Sequence, residues 1–203
     1  MKYYRMKYKM DWTNWQGGEP MVLFRRSHDF VETKTGRFLV DYSNSENGEP
    51  LKGPFICDLD DEDQTNQFPT FFTSPALIAT KQFYKDLTEA GVGNLEVFPV
   101  SIRDRVNNRE ITEYVLINII GLVSCAVLEE SGVERLNEEA DVNDYSGSMC
   151  VIDKLVIDTS KTHGMDVFLL SEDTDNIIVS DKIVKKLASN NYKDVEFEEL
   201  RSI

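Results

Sequence analysis

Histidine and cysteine are scarce in this 203-residue chain, which holds two of the first and three of the second. His28 and His163 each stand in a turn-like polar stretch with no other His or Cys at ligand spacing, so a structural zinc site is excluded. Ser27-His28-Asp29 contains the residue types of a catalytic triad. Consecutive side chains cannot form a nucleophile–base–orienter relay, so the match is coincidental. Cys57, Cys125 and Cys150 are odd in number and show no C-x-x-C spacing. They point to buried thiols in a reducing compartment. No glycine loop precedes a helix, because Gly91-Val92-Gly93 follows one, and a phosphate cradle is thereby missing. The most apolar run, Tyr114 to Leu128, is interrupted by Asn118, Gly121 and Ser124. It is too short and too polar to span a membrane. The basic first residues lack the apolar stretch of an export signal, which suggests a cytoplasmic protein. Together these absences predict no enzyme, no cofactor and no metal.

What the chain has in plenty is negative charge. Asp and Glu number 36 against 22 Lys and Arg, a net of -14. Four of the positive residues, Lys2, Arg5, Lys7 and Lys9, fall within the first ten positions, so the remainder is more acidic still. Such a body repels nucleic-acid phosphates and anionic lipid, and attracts a basic protein. Acidity also serves solubility. Two acidic runs stand out: Asp58, Asp60, Asp61, Glu62 and Asp63, and the stretch carrying Glu129, Glu130, Glu134, Glu138, Glu139, Asp141 and Asp144. The first begins like a calcium loop. It fails at position six, which is Asp63 where Gly is needed, and at position twelve, which is Pro69 where Glu is needed. The second reads as a solvated helix or a loop.

Periodicity predicts an α+β fold built on a mixed, mostly antiparallel central sheet, with two Ser-capped helices packed on it and a β-rich N-terminal part. The organising stretch runs from Phe71 to Ile102. Ser74 and Pro75 open a helix, Ala76, Phe83, Leu87 and Ala90 share one face, and Gly91 ends it. A strand with Pro99 at an edge or bulge follows. The same syntax returns at Ile177-Ile178-Val179, Ser180, a helix through Leu187 and Ala188, an Asn190-Asn191 stop and a strand from Asp194 to Leu200. Tyr4, Met6, Tyr8 and Met10 alternate with Arg5, Lys7 and Lys9, a half-buried strand. Trp12 and Trp15 beside Gly17-Gly18 read as a local lid. Met21 to Arg26, Phe38 to Tyr42, Phe55 to Leu59, Cys150 to Asp158 and Val167 to Leu170 read as further strands. Ser43 to Pro54 is a loop, Arg103 to Glu110 a hairpin tip, Tyr114 to Leu128 the central strand bent or ended at Gly121, and Ser171 to Asn176 a tight acidic turn. No linker divides the chain, so residues 1–203 are expected as one domain, with a β-rich part over 1–69 and the main body over 70–203.

The order of these segments resembles immunity-protein family eleven, bacterial proteins paired with secreted polymorphic toxins. The resemblance rests on Ser74 with the Gly91 stop, the Phe98-Pro99-Val100 strand and Tyr114-Val115-Leu116-Ile117-Asn118. Ile152, Leu155, Val156, Asp158, Phe168, the block Ile177 to Ser180, Leu187, Val195 and Phe197 complete it. It implies a cytosolic antidote that binds a cognate toxin domain, expected to be basic, and occludes it. The acids of 129–144, and secondarily those of 58–63, are the expected contacts. Two other classes remain open: an enzyme that reverses a toxin's modification, and a non-catalytic scaffold or homodimer joined through a strand edge near Pro99 or at the N-terminus.

Overall fold

The alternating N-terminal segment lies at the inside of a sheet. In a computed structural model that describes residues 1–9, 22–24, 28–33, 36–41, 49–50, 55–59, 68–73, 77–135 and 150–203, the strand Tyr3–Tyr8 pairs antiparallel with Asp173–Ser180 on one flank and Val195–Glu199 on the other. Both flanks are occupied, so this strand is not the edge that the homodimer expectation needs. It belongs to a five-stranded sheet in the order Leu122–Val123, Val167–Leu170, Asp173–Ser180, Tyr3–Tyr8, Val195–Glu199.

The expected central sheet is in fact two. The second holds seven strands, ordered Val22–Phe24, Phe55–Leu59, Leu95–Asp104, Tyr114–Ile119, Ile78–Thr80, Phe71–Phe72, with Arg109–Ile111 paired onto Leu95–Asp104. All six residues of Tyr114–Ile119 are buried, as its unbroken apolar run requires. The chain leaves this strand at Gly121, whose φ of 155° suits few side chains, and enters the five-stranded sheet as Leu122–Val123. Gly121 is thus the crossing point between sheets. Pairing is mostly antiparallel, with parallel pairs at Phe55–Leu59 with Leu95–Asp104, Leu122–Val123 with Val167–Leu170, and Val156–Ile157 with Arg201–Ser202.

Two α-helices among the described residues share one core with strands of both sheets. In α1 (Lys81–Glu89) and α2 (Asp181–Ala188), Phe83, Leu87, Ile183 and Leu187 share a core with Met6, Val179, Val115 and Ile117. Burying each of these large side chains contributes roughly 2 kcal/mol. The helix start expected at Ser74 is corrected: Ile78–Thr80 is a strand, and α1 opens at Lys81 with the Thr80 hydroxyl accepting the Phe83 amide at 3.2 Å. Ile78 and Ala79 are wholly buried and pair with the Tyr114–Ile119 strand, so the sheet ladder claims residues that local pattern gives to a helix. Ser74, Pro75 and Ala76 lie outside the described residues. Ser180 does stand at the N-cap of α2, yet its hydroxyl donates to Asp166 Oδ1 at 2.6 Å and accepts no amide. Both predicted stops hold, with Gly91 at φ 91° and Asn191 at φ 53°.

Several smaller expectations shift. The segment from Cys150 to Asp158 is two strands, Cys150–Ile152 and Val156–Ile157, joined by a bend that sends them to different partners. Within the expected Ser43 to Pro54 loop, Glu49–Pro50 pairs with Gly36–Asp41, itself paired with His28–Thr33. Arg103 to Glu110 is a hairpin tip as expected. Pro99 pairs with Val115, and the Ile120 amide bonded to the Asn94 carbonyl at 2.8 Å sets a register in which the Pro99 nitrogen faces away from that strand. Its missing N–H therefore costs no ladder bond there. The Trp12 and Trp15 loop lies outside the described residues. Among the described residues no helix is long and apolar enough to cross a membrane.

Candidate functional site

The face of the five-stranded sheet away from the helices carries a polar cluster, and it supports the described part of one acidic run. Glu134 lies in the strand Val133–Arg135, which pairs antiparallel with Cys150–Ile152. Neither a helix nor a plain loop, the described part of this run is one arm of a hairpin. Val133 packs beside Ile152 on the core formed by Tyr3, Phe168, Leu170 and Ile178. At the base of the arm the Gly132 amide donates to the Lys154 carbonyl at 3.2 Å and the Asp153 amide to the Gly132 carbonyl at 2.9 Å.

Arg5 seats this hairpin. Tyr3–Tyr8 alternates, and its odd-numbered face turns toward Ile152 instead of solvent, leaving Arg5 only 7 % exposed. A buried guanidinium needs a partner for each of its five N–H groups. Nε and Nη2 donate to Glu198 Oε2 at 2.9 and 2.7 Å, Nη1 to the Ile152 carbonyl at 2.9 Å and Asn176 Oδ1 at 3.1 Å, and Nη2 also to the Asp153 carbonyl at 2.8 Å. Burial works to raise the Glu198 carboxyl, but hydrogen bonds from Lys7 and Arg5 outweigh it and hold it below its ordinary value.

The acidic turn predicted at 171–176 is tighter than expected, since Asp173 already begins a strand, and all its residues but the exposed Asp175 are buried. Glu172 Oε1 accepts the Ser124 hydroxyl at 2.7 Å and the Ala126 amide at 3.3 Å. Asp173 Oδ2 accepts the Ile152 amide at 3.3 Å, and Oδ1 the Asp175 amide at 3.3 Å. Burial raises the Asp173 carboxyl above its ordinary value. Three ionisable side chains are thus buried on this side of the sheet: Arg5 and Asp173, which bond Ile152 of the hairpin, and Glu172, which bonds Ser124 and Ala126. Pattern alone could not find them, because a charged residue in an alternating strand or a turn is ordinarily solvated; the one sequence signal is that Glu172 and Asp173 stand between two apolar strands.

The predicted contact residues fall in two places. Glu129 and Glu130 are exposed in the turn ahead of the hairpin, and Glu130 Oε2 accepts Arg201 at 2.5 Å. Glu138, Glu139, Asp141 and Asp144 lie outside the described residues. Asp58 belongs to the other sheet, on Phe55–Leu59, where Arg105 donates to it at 2.6 Å. Asp60, Asp61, Glu62 and Asp63 also lie outside the described residues. Of the two acidic runs, the structure places Asp58 on the seven-stranded sheet and Glu134 on the separate hairpin of Val133–Arg135 and Cys150–Ile152. The acids of the C-terminal strand, Glu196, Glu198 and Glu199, adjoin the Glu129–Glu134 region through the Glu130–Arg201 pair, and sequence reasoning passed over them.

Reactive groups are muted where they are described. Burial pushes the Cys57 and Cys125 thiols up to about 12, too high for thiolate chemistry at neutral pH. His163 caps the short helical turn Thr159–Thr162 with left-handed geometry, φ 51°. The Asp104 carboxyl, held down to about 2 by the Asn107 backbone amide, the Asn107 side chain and Arg109, locks the 105–108 hairpin tip. Among the described residues no group of three or more His, Cys, Asp or Glu side chains is placed to hold a metal ion.

A sheet-dominated α+β body with two helices, whose described charged groups chiefly brace strands and turns, is the class of protein that fold and site define. The chain belongs to the Immunity protein family (Imm11), whose model matches residues 28–202. Membership assigns it to toxin neutralisation in general and implies a cognate toxin as its partner. A comparison with curated proteins found no match.

Proposed function

We propose that this chain acts in the cytoplasm as a non-catalytic blocker, covering the functional face of a basic toxin domain with the acidic residues of 129–144, whose described part leads into the hairpin of Val133–Arg135 and Cys150–Ile152. What carries this reading is the seating of that hairpin by Arg5 and Asp173, which bond the carbonyl and the amide of Ile152 respectively. Holding the strands Val133–Arg135 and Cys150–Ile152 in place before binding lowers the ordering cost of association. A net charge of -14 draws a basic partner from a distance and raises the association rate, so that the antidote reaches the toxin ahead of the toxin's anionic substrate. Occlusion of this kind is stoichiometric, one antidote to one toxin.

Charge reversal tests it. Glu134→Lys, Glu138→Lys, Glu139→Lys and Asp141→Lys are combined, and the variant is co-expressed with the toxin domain of the neighbouring reading frame. The association rate falls by about tenfold or more at low salt, converging on wild type at high salt. Undiminished protection with unchanged affinity rejects the assignment of this surface. Protection by substoichiometric protein rejects occlusion itself.

A further inference from the structure

We infer that the strand Val195–Glu199 is a second part of the same interface and receives an added β-strand from the toxin, one with Lys or Arg at alternating positions. The inference rests on the reading of the chain as a toxin blocker. Val195–Glu199 ends the order of the five-stranded sheet, paired among the described residues with Tyr3–Tyr8 alone. Its register fixes what it offers. Lys9 donates its amide to the Asp194 carbonyl at 2.8 Å and Leu200 donates to the Tyr3 carbonyl at 3.0 Å, so Asp194, Glu196, Glu198 and Leu200 spend their backbone groups inward. The N–H and C=O groups of Val195, Phe197 and Glu199 point away from the sheet, ready for a further strand.

The side chains say which strand fits. Glu196 and Glu198 share the face of the sheet that carries the hairpin, opposite Lys7 and Arg5. A partner strand laid along the free edge meets these two glutamates directly, and basic residues opposite them are favoured by about 0.2–1 kcal/mol per cross-strand pair. A second copy of this chain is disfavoured by the same rule. Antiparallel self-pairing centred on Phe197 sets Glu196 against Glu198, and centring on either glutamate sets like against like. The edge is therefore closed to itself and open to a basic strand. It is also continuous with the proposed contact surface, because Arg201, just beyond its end, pairs with Glu130 at 2.5 Å.

Hydrogen exchange on the free chain and on its complex with the toxin domain of the neighbouring reading frame tests the inference. The amides of Val195, Phe197 and Glu199 exchange fast in the free protein and at least tenfold more slowly in the complex, whereas those of Glu196 and Glu198 are slow in both. Glu199→Pro and Glu199→Ala supply the second measurement. Both remove an exposed carboxylate; only proline removes an outward N–H, at an edge position where the fold tolerates it. With circular dichroism showing both variants folded, Glu199→Pro binds the toxin domain at least tenfold more weakly than Glu199→Ala. If wild type binds, the three amides stay fast and the two variants bind alike, the added strand is overturned while the blocker reading stands. Slow exchange of the three amides in the free protein, with a dimer by light scattering, assigns the edge to a second copy and overturns it too. If wild type does not bind the toxin domain at all, both readings fall.

Discussion

Arg5 and Asp173 hold one residue from its two sides: the guanidinium of the first takes the Ile152 carbonyl at 2.9 Å, and the carboxylate of the second takes the Ile152 amide at 3.3 Å. Ile152 sits in the hairpin strand opposite Val133, so the strand that carries Glu134 is fixed to the five-stranded sheet through a single peptide neighbourhood.

Replacing Arg5 by Met keeps the length and apolar stem and removes all five hydrogen bonds. Two carbonyls and Asn176 Oδ1 then lose a donor, while Glu198, 41 % exposed, keeps Lys7 and gains water. The expected loss is on the order of 3 kcal/mol, dominated by the buried acceptors and not by the ion pair. Urea unfolding measures it, and a loss under about 1 kcal/mol would show that water replaces the guanidinium at no cost.

Two buried aspartates give opposite dependences on pH. Burial raises Asp173, so the folded state binds a proton that the unfolded state has released; stability falls as pH rises from the ordinary carboxylate value through the raised one. Asp104 is lowered from 3.8 to about 2, so its contribution is fully present above 3.8 and is lost as pH falls toward about 2. Asp173→Asn should therefore gain on wild type as pH rises through that first window. Asp104→Asn should be less stable than wild type at neutral pH and converge with it in acid. Chemical denaturation at a series of pH values checks both signs, and parallel curves for either variant contradict the assignment.

How far the sequence disclosed all this depends on the range of the forces involved. Gly91, Asn191 and Gly121 were readable because each answers to a local backbone need: two helix ends and a sheet crossing. The start of α1 was not, since Ile78 is held by a ladder partner far along the chain. Arg5 reads as the wet side of an alternating strand. It is dry because Ile152 and Asp153 cover it from 147 and 148 residues away. The acidic run at 129–144 was visible as charge, but its strand at Val133–Arg135 depends on pairing with Cys150–Ile152, and no local signal announces that partner.

Gly121→Ala probes the crossing between sheets. A Cβ there would meet Met165 Cε at 2.6 Å, and φ is 155°, which an L side chain rarely adopts. The Met165 end is flexible and can move aside, so backbone strain is the larger part, about 1–3 kcal/mol. Adding Met165→Ala should therefore fail to restore the melting temperature of Gly121→Ala. Full recovery in the double variant would make the steric contact the cause.

Asp86 offers the sharpest spectroscopic test of the helix pair. It is 3 % exposed on α1, and its carboxylate accepts Gln82 Nε2 at 3.0 Å, Asn190 Nδ2 at 2.5 Å and the Tyr192 hydroxyl, tying α1 to the turn that ends α2. Burial first, then the bond and charge of Asp86, raise the Tyr192 phenol above its ordinary value. Asp86→Ala removes the acceptor of three donors, the half-buried Tyr192 hydroxyl among them, at a cost of about 2 kcal/mol, and Asp86→Asn, which keeps an acceptor and the volume, loses less. Because the negative charge is gone in both, Tyr192 ionises at lower pH in each variant while the fold stands. Ultraviolet titration should show one of the eight tyrosines shifted downward in both, and further in Asp86→Ala, which also loses the acceptor. A phenol that moves only in Asp86→Ala would mean that packing, not charge, governs Tyr192.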